Sequence, residues 1–434
     1  MRIGGYFFGN HQRKDFGTFQ IYYRGPLAIS SGLYGTYGTP HWENYYHQSI
    51  SHNALLIFDP AEEMIYHGDP QANDGGQRWP NNGADHPRDL DMLLDPDNGY
   101  RMGQVTAHQF GPDPVTPEYS YLAGDITAAY VDTKVSLVTR SMVTLDTLDS
   151  TYPAVFMVFD RVTSTNADFE KTWLLHSIDE PQIDGSTITI TTTGRIYDDS
   201  GDYGGRLVAE RLLPEQATAD AVGGPGQEFW IESTATNYTN TYSHEAAEPG
   251  GWRVEVSPSE AATDDRFFHV MTVMDATTAA GPAVERIDGT DHVGATVLDR
   301  AVLLSRDAAL HDGAEFTLGG TEDMKVLVCD LEAGAWRISR DDVVVGGGEV
   351  SAEGSCLSFE GAAGSYHLEP GSVALDAGAI PEAGRDSSAP DLGQVTSPDA
   401  SAGDLGARAD AAIGDAAAAG DAAAGDAAAG DAAA

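Results

Sequence analysis

Lysine is scarce in this chain: there are four in 434 residues, and Lys and Arg together number 24 against 67 Asp and Glu, for a formal charge of −43. So few cations exclude nucleic acid and anionic membrane surfaces as ligands, since both are bound through clustered Lys and Arg. No stretch approaches the roughly 18 to 20 apolar residues of a membrane-spanning helix, which excludes helical membrane insertion. Met1 to Phe8 is too short and too polar for a signal peptide, so the chain taken literally is soluble and not exported. Only Cys329 and Cys356 occur, without CxxC spacing, which excludes a cysteine metal knot. Each falls in an expected strand, where a disulfide and a pair of buried thiols are both open readings. Gly223-Gly224-Pro225-Gly226 has neither a lysine nor a strand-to-helix setting for phosphate and reads as a turn.

What is present divides unevenly. The last aromatic residue is Tyr366, and from Asp376 the chain is mainly Ala, Gly, Asp, Pro and Ser, with Gly-Asp-Ala-Ala-Ala units near the end. Such a composition cannot bury enough apolar surface to offset its chain entropy, and a glycine every fifth residue opposes a helix. Residues 376–434 are therefore expected to be a disordered acidic tail. The tail has eleven acids and two arginines, net −9, which leaves −34 on residues 1–375. The acidity thus belongs to the folded part as well, where it reads as a solvated surface.

Between Gly17 and Tyr366 apolar residues recur with period two, broken by Gly, Pro, Asn and Asp. Clear runs include Ala54 to Phe58, Lys134 to Leu145, Ala154 to Val162, Lys171 to Ile178, Gly205 to Leu213, Arg266 to Met274 and Val297 to Ser305. Their number and their β-branched and aromatic content predict an all-β protein, and no segment reads as a long amphipathic helix. So many antiparallel strands need a second layer, which predicts a large β-sandwich over residues 1–310. Shorter strands from about 311 to 375 predict a smaller C-terminal β module.

Chemistry concentrates at the start. Through Trp42 the chain has Arg2, Arg13, Lys14 and Arg24 against Asp15 alone, a local balance of +3 and a candidate anion site. His11, His41, His47 and His52 lie in or near the same stretch, with Tyr22, Tyr23, Tyr34, Tyr37, Tyr45 and Tyr46. Histidine and tyrosine suit proton transfer, and arginine or imidazolium suits holding a carboxylate.

The pattern His11-Gln12, Asp15, Gly17, Phe19-Gln20-Ile21-Tyr22-Tyr23, Gly25, Leu27-Ala28-Ile29 and Ser31-Gly32-Leu33-Tyr34, then His41, Asn44-Tyr45-Tyr46 and His52-Asn53, resembles the opening of the β-sandwich of heparinase II/III-type polysaccharide lyases. Trp173-Leu174-Leu175-His176, Glu228-Phe229-Trp230 and Gly251-Trp252-Arg253-Val254-Glu255-Val256 extend the resemblance over most of residues 5 to 275. It implies β-elimination beside a uronic acid in an anionic polysaccharide, with export to the periplasm or beyond. It also implies an N-terminal α/α toroid, which the chain has no room for. The expectation is therefore a truncated product, one half of a split enzyme partnered by a separate toroid protein, or a derived sandwich.

The resemblance places a catalytic histidine at His11, and Arg13, Arg24, Tyr22, His41 and Tyr45 are expected on the substrate side. In heparinase II-like members zinc is held at the positions occupied here by Arg13, Ser30 and His52. Arginine cannot ligate zinc, so no cofactor is expected, His52 is a residual ligand position, and the Arg13 guanidinium is expected to fill the place of the metal. The competing reading is a noncatalytic carbohydrate-binding or structural remnant.

Overall fold

The computed structural model describes residues 1–9, 11–34, 37–81, 86–195, 202–240 and 250–372. The expected tail, 376–434, lies outside them. All described residues belong to one compact unit, and no helix among them is long and apolar enough to cross a membrane.

Four β-layers stack face to face. The largest is an eight-stranded sheet with the spatial order Gln182–Asp184, Thr187–Arg195, Asp202–Leu213, Asp264–Asp275, Ala154–Ser164, Val135–Asp146, Tyr119–Asp125, Gln104–Gly111. On one face lies a four-stranded sheet, Ala217–Gly223, Trp252–Pro258, Glu170–Ser177 and Leu55–Phe58. Leu55, Ile57, Trp173, Leu175, Val254 and Val256 from it meet Val138, Met142, Val158, Val162, Leu207 and Met271 in the first core. The opposite face packs Tyr121, Val143, Val155, Met157, Phe159 and Phe268 against Val293, Val302, Leu304 and Leu327. Those belong to a five-stranded sheet that runs from Val284–Asp288 to Cys356–Gly361. Its outer side, through Ala301, Leu303, Val326 and Val328, buries Phe316, Trp336, Ile338 and Leu368 of a second four-stranded sheet.

Covering both faces of the eight-stranded sheet explains the long unbroken buried runs in its central strands, as from Phe267 to Met274 within Asp264–Asp275. Among the described strands, pairing is antiparallel apart from Arg300–Ser305 beside Met324–Cys329, which are parallel. The strands of the two outer layers begin at Val284, so the division expected near residue 310 falls after three of them. The expected run Val297 to Ser305 is in fact the corner of a hairpin: Leu298 has φ 53° and separates His292–Val297 from Arg300–Ser305. Cys329 and Cys356 are register partners on neighbouring strands and form a disulfide.

The N-terminal segment lies across the first sandwich. Phe7, Phe16, Phe19, Ile21 and Leu27 are buried in the first core, and polar clamps hold the intervening backbone. Gln77 bonds Phe16 from both ends of its amide, at 3.0 and 2.7 Å, and the Asn53 amide donates to the Phe19 carbonyl at 2.8 Å. Arg140, fully buried on the eight-stranded sheet, makes a two-pronged pair with Asp160 at 2.5 and 2.9 Å. Its remaining nitrogen donates to the carbonyls of Gly17 at 2.8 Å and Asn53 at 2.7 Å. Gly17 has φ +82°, and a Cβ there would lie 2.8 Å from Ile126, so this corner requires glycine.

Candidate functional site

His11 stands at the rim of a cleft of about 280 Å³ lined by Phe7, Gln12, Tyr37, Trp42, Glu43, His47, Tyr66, His67 and Trp79. It is exposed, with φ 65°. The Gln12 carboxamide closes the turn around it by accepting from the Phe8 N–H at 2.6 Å. The Tyr37 hydroxyl lies 2.8 Å from its ring nitrogens, and the Tyr34 hydroxyl is 2.7 Å from that of Tyr37. The hydrogen bond with Tyr34 pushes the Tyr37 phenol up to about 12, so it keeps its proton and can donate it.

Aromatic rings continue from this rim to the floor. Tyr37 meets Trp42 at 4.5 Å between ring centroids, Trp42 meets His47 at 4.0 Å, and Tyr66 meets Trp79 at 4.6 Å. A single irregular helical turn, Trp42–Tyr46, carries this wall. It is tied down by the Asn44 carboxamide, which accepts from the Ala72 N–H at 2.7 Å, and by the Lys14 N–H donating to the His47 carbonyl at 3.0 Å. Rings flanked by imidazole and phenol groups suit the face and the hydroxyls of a sugar.

The residues named from sequence separate into three groups. His11 lines the cleft. Tyr22 and Arg24 do not: Tyr22 is 70% exposed on the short hairpin Ile21–Tyr22 with Pro26–Ala28, and Arg24 pairs with Asp275 at 2.9 Å. His41 and Tyr45 are buried, so the expectation that they touch substrate gives way to a packing role. His41 accepts from the Leu33 N–H at 3.1 Å and donates to the Tyr238 carbonyl at 2.5 Å, and burial lowers its pKa. The Tyr45 hydroxyl meets Ser31 Oγ at 2.9 Å.

The local positive balance does not become one patch either. Arg2 pairs with Asp15, Arg24 with Asp275, and Lys14 is buried, with its Nζ 3.4 Å from Met64 Sδ and 5.3 Å from the centre of the Trp79 ring. Burial brings Lys14 down to about 8. The Arg13 guanidinium lies 4.8 Å from the centre of the Tyr46 ring.

Of the positions of the family zinc ligands, Ser30 and His52 meet. Fully buried His52 meets Ser30 Oγ at 3.0 Å and Ser51 Oγ at 3.2 Å, while Gln20 donates to Ser30 at 3.0 Å. Burial, and then the charge of Arg13, hold His52 well below the usual imidazole range. Two hydroxyls and a guanidinium are not the imidazole, thiolate or carboxylate donors that zinc takes, so this set does not fit the metal. Among the described residues no three His, Cys, Asp or Glu gather with metal-binding spacing.

Sequence reasoning did not place Tyr66, His67 and Trp79 in the cleft; their spacing shows no period, Tyr66 and His67 being carried by the short hairpin Ile65–Tyr66 with Asp69–Pro70 and Trp79 by the loop after it.

Residues 286–370 match the model of the heparinase II C-terminal domain. The chain carries a heparinase-type C-terminal region. Among solved structures, the heparan sulfate lyase HepC from Pedobacter heparinus is 14% identical over 69% of this chain and 38% of its own, with a TM-score of 0.39. A heparinase III, the BT4657 gene product, is 12% identical over 81% of this chain and 36% of its own, with a TM-score of 0.37. This chain therefore spans well under half the length of either enzyme. No curated protein matches it. The matched region supplies strands of the two outer layers, whereas the cleft is built on the N-terminal segment.

Proposed function

We propose that this heparinase-type protein supplies the sandwich side of a polysaccharide lyase site that cleaves a uronic-acid-containing anionic polysaccharide by β-elimination. The observation that carries this reading is the exposed His11–Tyr37 pair at the mouth of an aromatic cleft, in a chain whose C-terminal region is of heparinase type. Elimination takes the C5 proton beside the carboxylate and returns a proton to the departing glycosidic oxygen. His11, exposed at the rim, can neutralise the carboxylate or move a proton. Tyr37, held protonated by Tyr34, is suited to donate rather than to accept.

By resemblance the remaining catalytic groups come from an α/α toroid, which is not among the described residues. The reading requires one, on a longer form of the chain or on a separate protein. The Cys329–Cys356 disulfide supports an oxidising compartment, in keeping with the periplasm or the exterior. Zinc is left out of the reaction, because the groups around His52 are not its donors; a stoichiometric zinc signal in the purified protein would contradict that.

The test is to incubate the protein with heparin, heparan sulfate, chondroitin sulfate and alginate, alone and with a toroid protein added, while following the ultraviolet absorbance of unsaturated uronate. Turnover that disappears in His11→Ala supports the lyase reading. Binding without turnover in either mixture leaves a carbohydrate-binding module, and absence of both rejects a saccharide function.

A further inference from the structure

His47 differs from the other buried histidines. His41, His52, His176 and His292 each engage a ring nitrogen with a backbone or hydroxyl oxygen. His269 has no such partner, but it lies flat on Trp173 at 3.7 Å, deep between two sheets. His47 is 3% exposed, lines the cleft that holds His11, and has no hydrogen-bond partner for either ring nitrogen among the described residues. Buried polar atoms are seldom left unpaired in this way, and each such case calls for an explanation.

The surroundings narrow what the ring can do. The Trp42 ring, 4.0 Å away and steeply inclined at 67°, can take an N–H in a weak contact with its face. The second nitrogen then presents a lone pair and nothing to receive. Burial first, and then Arg13, Lys14 and His11, disfavour a proton on that nitrogen. A neutral acceptor beside Trp42, Trp79 and Tyr66 is complementary to an O–H group on a ring that can stack, and hydroxyl-bearing sugar rings have both features.

We propose that His47 is a specificity-determining residue of the cleft, accepting a hydrogen bond from a hydroxyl of the saccharide ring that packs against Trp42 and Trp79. The assignment rests on the reading of the cleft as a saccharide site and adds the residue that reads the sugar at its floor. No bond is made or broken by His47. Its effect falls on affinity and on the choice among sugars that place a hydroxyl there.

The experiment is calorimetric titration of the full chain with tetrasaccharides of heparan sulfate, chondroitin sulfate and alginate, comparing wild type, His47→Phe and His47→Gln. Phe keeps the ring packing and removes both nitrogens, whereas Gln restores an acceptor. For the tetrasaccharide that binds wild type best, affinity is expected to fall about tenfold in His47→Phe and to recover to within about threefold in His47→Gln, the scale of one buried hydrogen bond. Equal affinity in folded His47→Phe overturns the assignment while leaving the saccharide reading intact. If wild type binds none of the three, alone or with the toroid protein added, the saccharide reading fails and this assignment fails with it. Should His47→Phe not fold, the ring nitrogen resonances of ¹⁵N-histidine-labelled wild type decide. A shift at His47 on adding the tetrasaccharide supports the contact, and an unmoved signal under saturating ligand refutes it.

Discussion

Acidification from neutral pH to about pH 5 is expected to strip this protein of much of its stability, because of histidines buried without charge. Burial holds His47 and His176 at about 3 and His292 at about 4, and all three are at most 3% exposed. In the unfolded chain each returns to about 6.5. The folded values lie below the unfolded ones, so below pH 6.5 the unfolded chain binds protons that the folded chain refuses. Their stabilising contribution is therefore complete above about pH 6.5 and is lost as pH falls.

At pH 5 the gap is about 1.5 pH units per site, or about 2 kcal/mol each and about 6 kcal/mol for the three. His52 and His269, both fully buried and also shifted down by burial, act in the same direction. A typical domain has only about 5 to 15 kcal/mol in total. Carboxylates whose pKa values are lowered in the fold, such as Asp288 and Asp264, release their contributions mainly below about pH 4, whereas burial raises the carboxyls of Asp15 and Asp160, which act against the imidazoles and make the loss smaller. Urea unfolding at several pH values across that interval measures the loss directly. A decrease of less than about 2 kcal/mol by pH 5 would refute the claim that these rings are kept neutral by burial.

Arg140→Met leaves Asp160 buried without its partner and frees the Gly17 and Asn53 carbonyls; a loss of about 3 to 5 kcal/mol in urea unfolding is expected. Lys14 at about 8 against an ordinary 10.5 is a base whose folded value is depressed, so wild-type stability should gain about 3 kcal/mol on Lys14→Met as pH rises from about 8 to about 10.5. Parallel unfolding curves of the two proteins across that window would contradict the burial of an ammonium there. Replacing Cys329 and Cys356 together by Ala opens a cross-link spanning 27 residues and should lower stability by about 2 to 4 kcal/mol, read as a shift in urea midpoint.

Strand runs were most legible where burial follows residue identity closely. Ala54 to Phe58, Ala154 to Val162 and Arg266 to Met274 overlap observed strands. Val343–Val350 is not among the expected runs; it carries three consecutive glycines and is an exposed edge strand, where side-chain packing matters little. The charge count misled in a different way. Arg2, Lys14 and Arg24 are close in sequence, yet each finds its own partner or its own burial, and formal charge says nothing about which carboxylate lies opposite.

By itself, the sequence determined the all-β class, through period-two apolar runs and turn residues, and it marked the histidine-rich N-terminal stretch as chemically unusual. Both are local properties, carried by neighbours a few residues apart. Tertiary structure alone decided that four sheets stack into successive cores. It also brought Trp79 and Tyr66 to His11 and His47, buried His41 and Tyr45, and made Arg140 the bolt under Gly17 and Asn53. These outcomes depend on contacts between residues far apart in the chain, such as Arg140 with Gly17, and on which way each loop turns its side chains. Local propensity carries no information about either until the layers have packed.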